Sequence, residues 1–318
     1  MIEIRTFLNT DIHKLANLWR DCAHGQHVFD SMTVPIFEDS VFSKPYFDHA
    51  GLHVACLEKS IVGMSLVGFA PDQTGNDLDR KSAILSRLMI ASDCEFEPIA
   101  SELLSRSKDY ALRNGGNTLY YGSRFPHAPY LNGAYGGALV PGVMEHETEL
   151  RDFLIGNAFI QTDQIETYQM SLSDFRPLVN RKQITAKRQC KIVLEADPMP
   201  SNWFDACNFG IQNCVDFLLK DRKTNSDCGN LRFWEIQPLS GMWGRRAAGL
   251  YFLKIAEDLR GGGLATMLLG DAFRQLHELG FSVVEVHLPR TEVGLCSLFQ
   301  KLGFGLVGRN LQMKLELD

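Results

Sequence analysis

Residues 250 to 270 read LYFLKIAEDLRGGGLATMLLG, and no other stretch limits the possible folds of this chain as tightly. An apolar run from Leu250 to Ala256 is followed by two acids, by Arg260, Gly261, Gly262 and Gly263, and then by Leu264 to Leu269, which open a helix-forming segment. The order is strand, glycine loop, helix. Three glycines let successive backbone N–H groups turn toward one point, and a helix beginning there adds unpaired donors and a partial positive charge. Such a place holds phosphate, although glycine-rich turns also serve as plain connectors. No Gly-Lys-Ser/Thr follows and the spacing G-x-G-x-x-G is missing, so this is neither a Walker loop nor a dinucleotide fingerprint.

The residues that follow keep a regular order. Leu268, Leu269, Ala272, Phe273 and Leu276 recur at helical spacing between Ala265 and Leu279, and Gly280 ends the helix as a C-cap. Phe281 to Leu288 reads as a strand, Val293 to Leu302 as a short helix and Gln312 to Leu317 as a closing strand. Arg260-x-x-Gly263-x-Ala265 resembles the acetyl-CoA pyrophosphate loop, R/Q-x-x-G-x-G/A, of the GNAT superfamily of N-acetyltransferases. Leu298-Phe299-Gln300-Lys301-Leu302-Gly303-Phe304 resembles the same family's L-Y-x-x-L-G-F signature.

A second, degenerate copy precedes this one. At an offset of 165, Ile90-Ala91 falls on Ile255-Ala256 and Leu103-Leu104 on Leu268-Leu269; toward the ends an offset of 145 lays Ala158-Phe159 on Gly303-Phe304. About 20 extra residues in the first half are supplied by Arg124 to Glu145, whose Pro, Gly and Tyr content forbids a regular helix. Ile2 to Arg5 and Asp11 to Cys22 read as a first strand and helix, and Gly51 to Ala70 as a hairpin. Where the second half has Arg260 to Gly263, the first has Glu95-Phe96-Glu97-Pro98. Two carboxylates repel a pyrophosphate, and Pro98 has no N–H to offer. The expected architecture is α/β: two GNAT-like domains in tandem, residues 1–175 and 176–318, each a mixed, twisted sheet flanked by helices, the first degenerate. Such an arrangement resembles the mycothiol synthase branch of the superfamily.

The resemblance implies acetyl-CoA as cosubstrate and an amine of a small molecule as acceptor. It places the backbone of Leu253, Lys254 and Ile255 along the pantetheine, and Arg260, Gly261, Gly262, Gly263, Leu264 and Ala265 around the pyrophosphate. Phe299 stands where the family has its tyrosine acid and is counted among the CoA contacts; Glu292 stands where an asparagine is usual. A thiol leaves readily, with a pKa of about 8.5, so loss of the acid costs less than it would for an alkoxide. Candidates for the base are His287 and Glu235, although each reads more readily as a strand-end surface residue. Phe299 and the eroded first half also admit a non-catalytic acyl-CoA sensor.

Composition narrows the surroundings. A net charge of −6 argues against nonspecific nucleic-acid binding, and the basic run Arg176 to Lys191, which has no aromatic residue to stack on a base, reads as a solvated linker. Eight cysteines without a C-x-x-C pair indicate neither a disulfide framework nor a zinc ribbon. No metal is expected: Cys22, His24, His27, His49 and His53 match no zinc spacing and read as exposed or cleft-lining residues. The longest apolar runs are too short to span a membrane, and MIEIRTFLNTD lacks a signal peptide's apolar core, so a soluble, cytoplasmic protein is expected. Trp243, in what reads as a glycine-rich loop, Gly241-Met242-Trp243-Gly244, is a core residue or the wall of an acceptor pocket. The loop 124–145, with Tyr130 and Tyr135, either shapes that pocket or covers a sheet edge.

Overall fold

The computed structural model describes residues 2–25, 27–137, 139–178, 181–210 and 212–317. In the first half, β1 (Ile2–Thr6) leads into α1 (Ile12–Cys22) and a short α2 (Val34–Phe37). A meander of β2 (Leu52–Leu57), β3 (Ser60–Pro71) and β4 (Leu78–Ile90) follows, then α3 (Phe96–Arg113), β5 (Thr118–Tyr121), the brief β6 (Val143–Met144), α4 (Thr148–Gly156) and β7 (Ile160–Ser171). The second half begins with α5 (Arg181–Gln189), β8 (Cys190–Ala196), α6 (Trp203–Phe209), β9 (Cys214–Asp221), β10 (Asp227–Glu235) and α7 (Gln237–Trp243). It closes with β11 (Ala247–Ile255), α8 (Leu264–Glu278), β12 (Val283–Pro289), α9 (Val293–Lys301) and β13 (Gly305–Glu316).

Helix α8 shows why these residues form these elements. Its Leu268, Leu269, Ala272, Phe273 and Leu276 are all fully buried against the sheet, on the single stripe that the spacing predicts. Each large side chain so buried contributes about 1.5–3 kcal/mol. Among the described residues no helix is long and apolar enough to cross a membrane.

The two halves repeat one another in register. Ser82 pairs with Thr118 and Ala247 with Val283, both pairs parallel and related by the offset seen in the sequence. Each inner strand also carries a β-bulge at the same place: Ser86 is the extra residue in β4 against β3, and Tyr251 the extra residue in β11 against β10. Ala158 keeps a positive φ of 66° where Gly303 has 96°, so the turn persists after its glycine is gone.

The two expected sheets are fused into one. Its order is β1-β2-β3-β4-β5-β13-β7-β12-β11-β10-β9-β8, with β6 pairing off this path with β13. The halves have exchanged their last strands: β13 lies beside β5, β7 lies beside β12, and the two pair antiparallel with each other at the centre. Two further expectations change. Gly241 to Trp243 is not a loop but the end of α7, stopped by Gly244 in the left-handed region at φ 61°. The run Arg176 to Lys191 is not only a solvated linker: α5 packs on α8, with Ala186 buried.

Candidate active site

The parallel pair β11–β12 lasts for three residues, Ala247 to Gly249, and then parts. From Leu250 onward β11 has no strand among the described residues on its β12 side, and the bulge at Tyr251 turns it further. A cavity of about 420 Å³ opens in the gap. Leu250 to Lys254 form one wall, His287 and Leu288 of β12 with Leu295 and Phe299 of α9 another. The third wall combines Phe125, Pro126, His127 and Leu139 of the first half's long loop with Phe204 and Asp205 of α6 from the second half. Leu253, Lys254, His287 and Phe299 are therefore brought together.

The glycine loop lies beyond this cavity, at the far end of β11. Gly263 caps α8 at φ 84°, in the left-handed region, and no side chain caps the helix, whose first N–H groups are left to the loop. Gly261 has a φ of 80°, and Arg260 Nε donates to the carbonyl of Ile255 at 3.2 Å. Helix α5 rests on this loop: Lys182 Nζ donates to the Gly261 carbonyl at 3.3 Å, and a Cβ on Gly263 would stand 3.1 Å from the Lys182 Cβ. Leu264 is buried, so only its backbone faces the loop, and Ala265 is half-buried in the first turn.

His287 is buried, and neither ring nitrogen has a hydrogen-bond partner among the described residues. Burial is the main cause that pushes its pKa down to about 3, so it is neutral. The long loop crosses above it through Gly136 and Gly137, where a Cβ would lie 1.6 Å from Glu285 Oε1 and 2.6 Å from the His287 ring respectively. Only glycines permit that approach.

Glu235 is placed elsewhere. It pairs with Ala248, and its carboxylate is held by Arg246 at 2.8 and 2.9 Å and by Asn213 at 3.0 Å. The hydrogen bonds from Arg246 hold its pKa below the usual carboxylate range. It does not line the cavity, and its carboxylate is already engaged. Phe299 is fully buried, edge-on to Phe304 at 5.0 Å, and borders the cavity from below.

Sequence reasoning missed Asp205, Tyr251 and His127. Asp205 reads as an ordinary helix-start acid after the cap Asn202, Tyr251 is hidden in an apolar run, and His127 sits in a loop with no pattern. Burial pushes the His127 pKa down to about 4, and its Nδ1 has no partner among the described residues.

In the first half the corresponding gap is closed. Beyond Leu85–Tyr121 the strands β4 and β5 part in the same way, but the Arg87 guanidinium fills the space, paired with Glu147, bonded to the Tyr121 hydroxyl at 3.2 Å and lying over the Tyr135 ring at 5.3 Å. Tyr130 and Tyr135 thus belong to the interior and do not reach the second half's cavity; other residues of their loop do. Helix α3 begins one turn earlier than α8 does at the same offset, so Phe96 to Pro98 are helical and no glycine loop forms. Among the described residues no three His, Cys, Asp or Glu side chains converge on a metal site; His27 pairs with Glu285 at 2.9 Å while His53 faces Ser65. Trp243 stands edge-on to His27 at 5.9 Å and lines a separate, more open cavity, not the one at β11 and β12.

No protein-family model and no curated protein matches the sequence. Solved structures do match the fold. A tandem GNAT protein from the clavulanic acid biosynthesis pathway aligns over 100% of this chain and 99% of its own, with a TM-score of 0.68 at 12% identity. A GCN5-related N-acetyltransferase from Sphaerobacter thermophilus aligns over 99% and 96%, with a TM-score of 0.66 at 11% identity. A glucosamine N-acetyltransferase region of a fungal multi-domain GH3 β-N-acetylglucosaminidase gives a TM-score of 0.69 at 13% identity; the alignment covers 99% of this chain but 38% of the fungal one. The chain has the tandem GNAT fold.

Proposed function

We propose that the second half binds acetyl-CoA and transfers its acetyl group to the amine of a small molecule held in the cavity between β11, β12 and the long loop of the first half. The observation that carries this reading is the alignment of three features along one strand: the parted edge from Leu250, the bulge at Tyr251 and the uncapped N-terminus of α8 at Gly263. On this reading the pyrophosphate lies on Gly261 to Ala265 with Arg260, the pantetheine runs along Leu253 to Ile255, and the thioester reaches the cavity beside Phe299. Fixed N–H groups on the parted edge stabilise the oxyanion that forms when the amine attacks. An ammonium and acetyl-CoA become an acetamide, CoA thiol and a proton.

Neither His127 nor His287 is a strong base, since useful bases titrate near the working pH and burial lowers both. The ammonium loses its first proton to solvent before attack, and the departing thiolate, with a pKa of about 8.5, takes the second. We retain 1–175 and 176–318 as the working division, the first half serving as a wall of the site. Eight unpaired cysteines and a net charge of −6 support a reducing, cytoplasmic setting and a small acceptor in preference to a nucleic acid. Phe299, which has no proton to give, favours a second reading as an acyl-CoA sensor.

Calorimetric titration of the intact chain with CoA should give one equivalent, and thiol release in the presence of acetyl-CoA and a panel of primary amines should exceed the rate without amine. Tight CoA binding with no amine-dependent release selects the sensor. Absence of CoA binding rejects both.

A further inference from the structure

Behind the cavity wall lies a charge arrangement that the transfer chemistry above does not use. Arg232, on β10, is 3% exposed and grips two carboxylates: Asp216 at 2.6 and 2.9 Å and Asp205 at 2.8 Å. Asp205 and Asp216 are 2% and 5% exposed. One guanidinium between two carboxylates leaves one negative charge in excess, and burying an uncompensated charge is costly. Asp205 is the member that faces the cavity. Its Oδ2 is taken, by Arg232 and by the Ser201 N–H at 2.7 Å, whereas its buried Oδ1 has no hydrogen-bond partner among the described residues.

We propose that Asp205 is the anchor for a cationic acceptor, and that Oδ1 receives the –NH3+ group of a primary amine. The atoms available decide the kind of cation. A guanidinium seeks two parallel oxygens, but Asp205 has one left; a single oxygen suits the compact charge of an ammonium. The other groups facing this space are compatible. Tyr251 faces Asp205, and burial, then the charge of Asp205 and the approach of its carboxylate to the hydroxyl, raise the phenol pKa and keep it a neutral group that would share the carboxylate with the ammonium. His127 and His287 are neutral through burial, Asp72 adds a second carboxylate at the rim, and Lys254 is exposed, with its ammonium 5.1 Å from the Phe252 ring. Phe204, Leu139 and Phe252 offer apolar surface to the body of the amine. The inference deepens the proposed function and rests on it for the fate of the amine, but binding of the ammonium stands apart from CoA.

The test uses the full chain and two probes of equal size, hexylammonium and hexan-1-ol, with hexylguanidinium as a third, in titrations followed by NMR. Hexylammonium should bind at least tenfold more tightly than the alcohol and more tightly than the guanidinium, and Asp205→Asn should erase the preference. Equal binding of ammonium and alcohol by the unaltered protein, no ammonium binding, or an unchanged preference in Asp205→Asn overturns the proposal. Should Asp205→Asn fail to fold, the comparison of probes on the unaltered protein decides by itself. Failure of the acetyl-transfer reading shows separately, as absent CoA binding with the ammonium preference intact.

Discussion

The two halves share a register, a bulge and a parted strand pair, yet one gap is a cavity and the other is solid. In the second half β11 and β12 open onto space walled by Leu253, His287 and Asp205. In the first, the same divergence of β4 and β5 is occupied by Arg87, Glu147 and Tyr135. The comparison teaches that the backbone supplies the gap in both places and side chains determine its use. A gap of this kind cannot be left with unpaired backbone groups in a dry interior; it must meet a ligand, water or polar side chains.

The largest effect should come from breaking the filled gap. Arg87 is buried and paired with Glu147, and its pKa is raised well above the usual arginine value by the charge of Glu147 against the cost of burial. Glu147→Gln leaves that guanidinium without its counter-charge and should cost about 3 kcal/mol or more in chemical denaturation. CoA affinity of the folded fraction should stay within twofold. A negligible loss of stability would mean that water, not the ion pair, satisfies the first gap.

Next comes the glycine loop. Gly263→Val forces a β-branched residue to φ 84° with its Cβ 3.1 Å from that of Lys182, so some stability is lost, about 1–2 kcal/mol. CoA affinity should fall far more, by at least a hundredfold in calorimetry, because the approach of the pyrophosphate is blocked. Unchanged affinity would remove the loop from the site.

How far could the sequence alone have led here? The strand, glycine loop and helix at 250 to 270, the stripe on α8 and the offset of the repeat were all legible, because each rests on local spacing. The identity of the exchanged strands was not: β7 and β13 have the same length and match each other at one offset, so nothing in either says which half it joins. Asp205 escaped for a similar reason. Its partner Arg232 lies in strand β10, and a charge pair formed between a helix and a distant strand leaves no periodic mark. Glu235 was singled out for its position in a strand, and only the structure reveals the Arg246 that occupies it.

The smallest effect refines the comparison at a turn. Ala158 holds φ 66° where the second half has Gly303, so Ala158→Gly should relieve a left-handed alanine and raise the melting temperature slightly, by about 0.5 kcal/mol in stability. No change in CoA binding should accompany it. A destabilised variant would show that the alanine methyl packs well enough to outweigh the strain.

The exchange of last strands bears on how the molecule is made. Tyr121 of β5 waits for Met313 of β13, which is made long after it, and β12 is completed by Ile165 to Ser171, made long before it. Neither sheet portion can finish while the other is missing, so the nascent first half carries an unpaired edge until β13 has been made. Pairings so distant along the chain fold slowly. Once closed, however, the strands lock the loop that roofs the cavity to the strand that forms its floor, and the chain should lose its structure in one cooperative step.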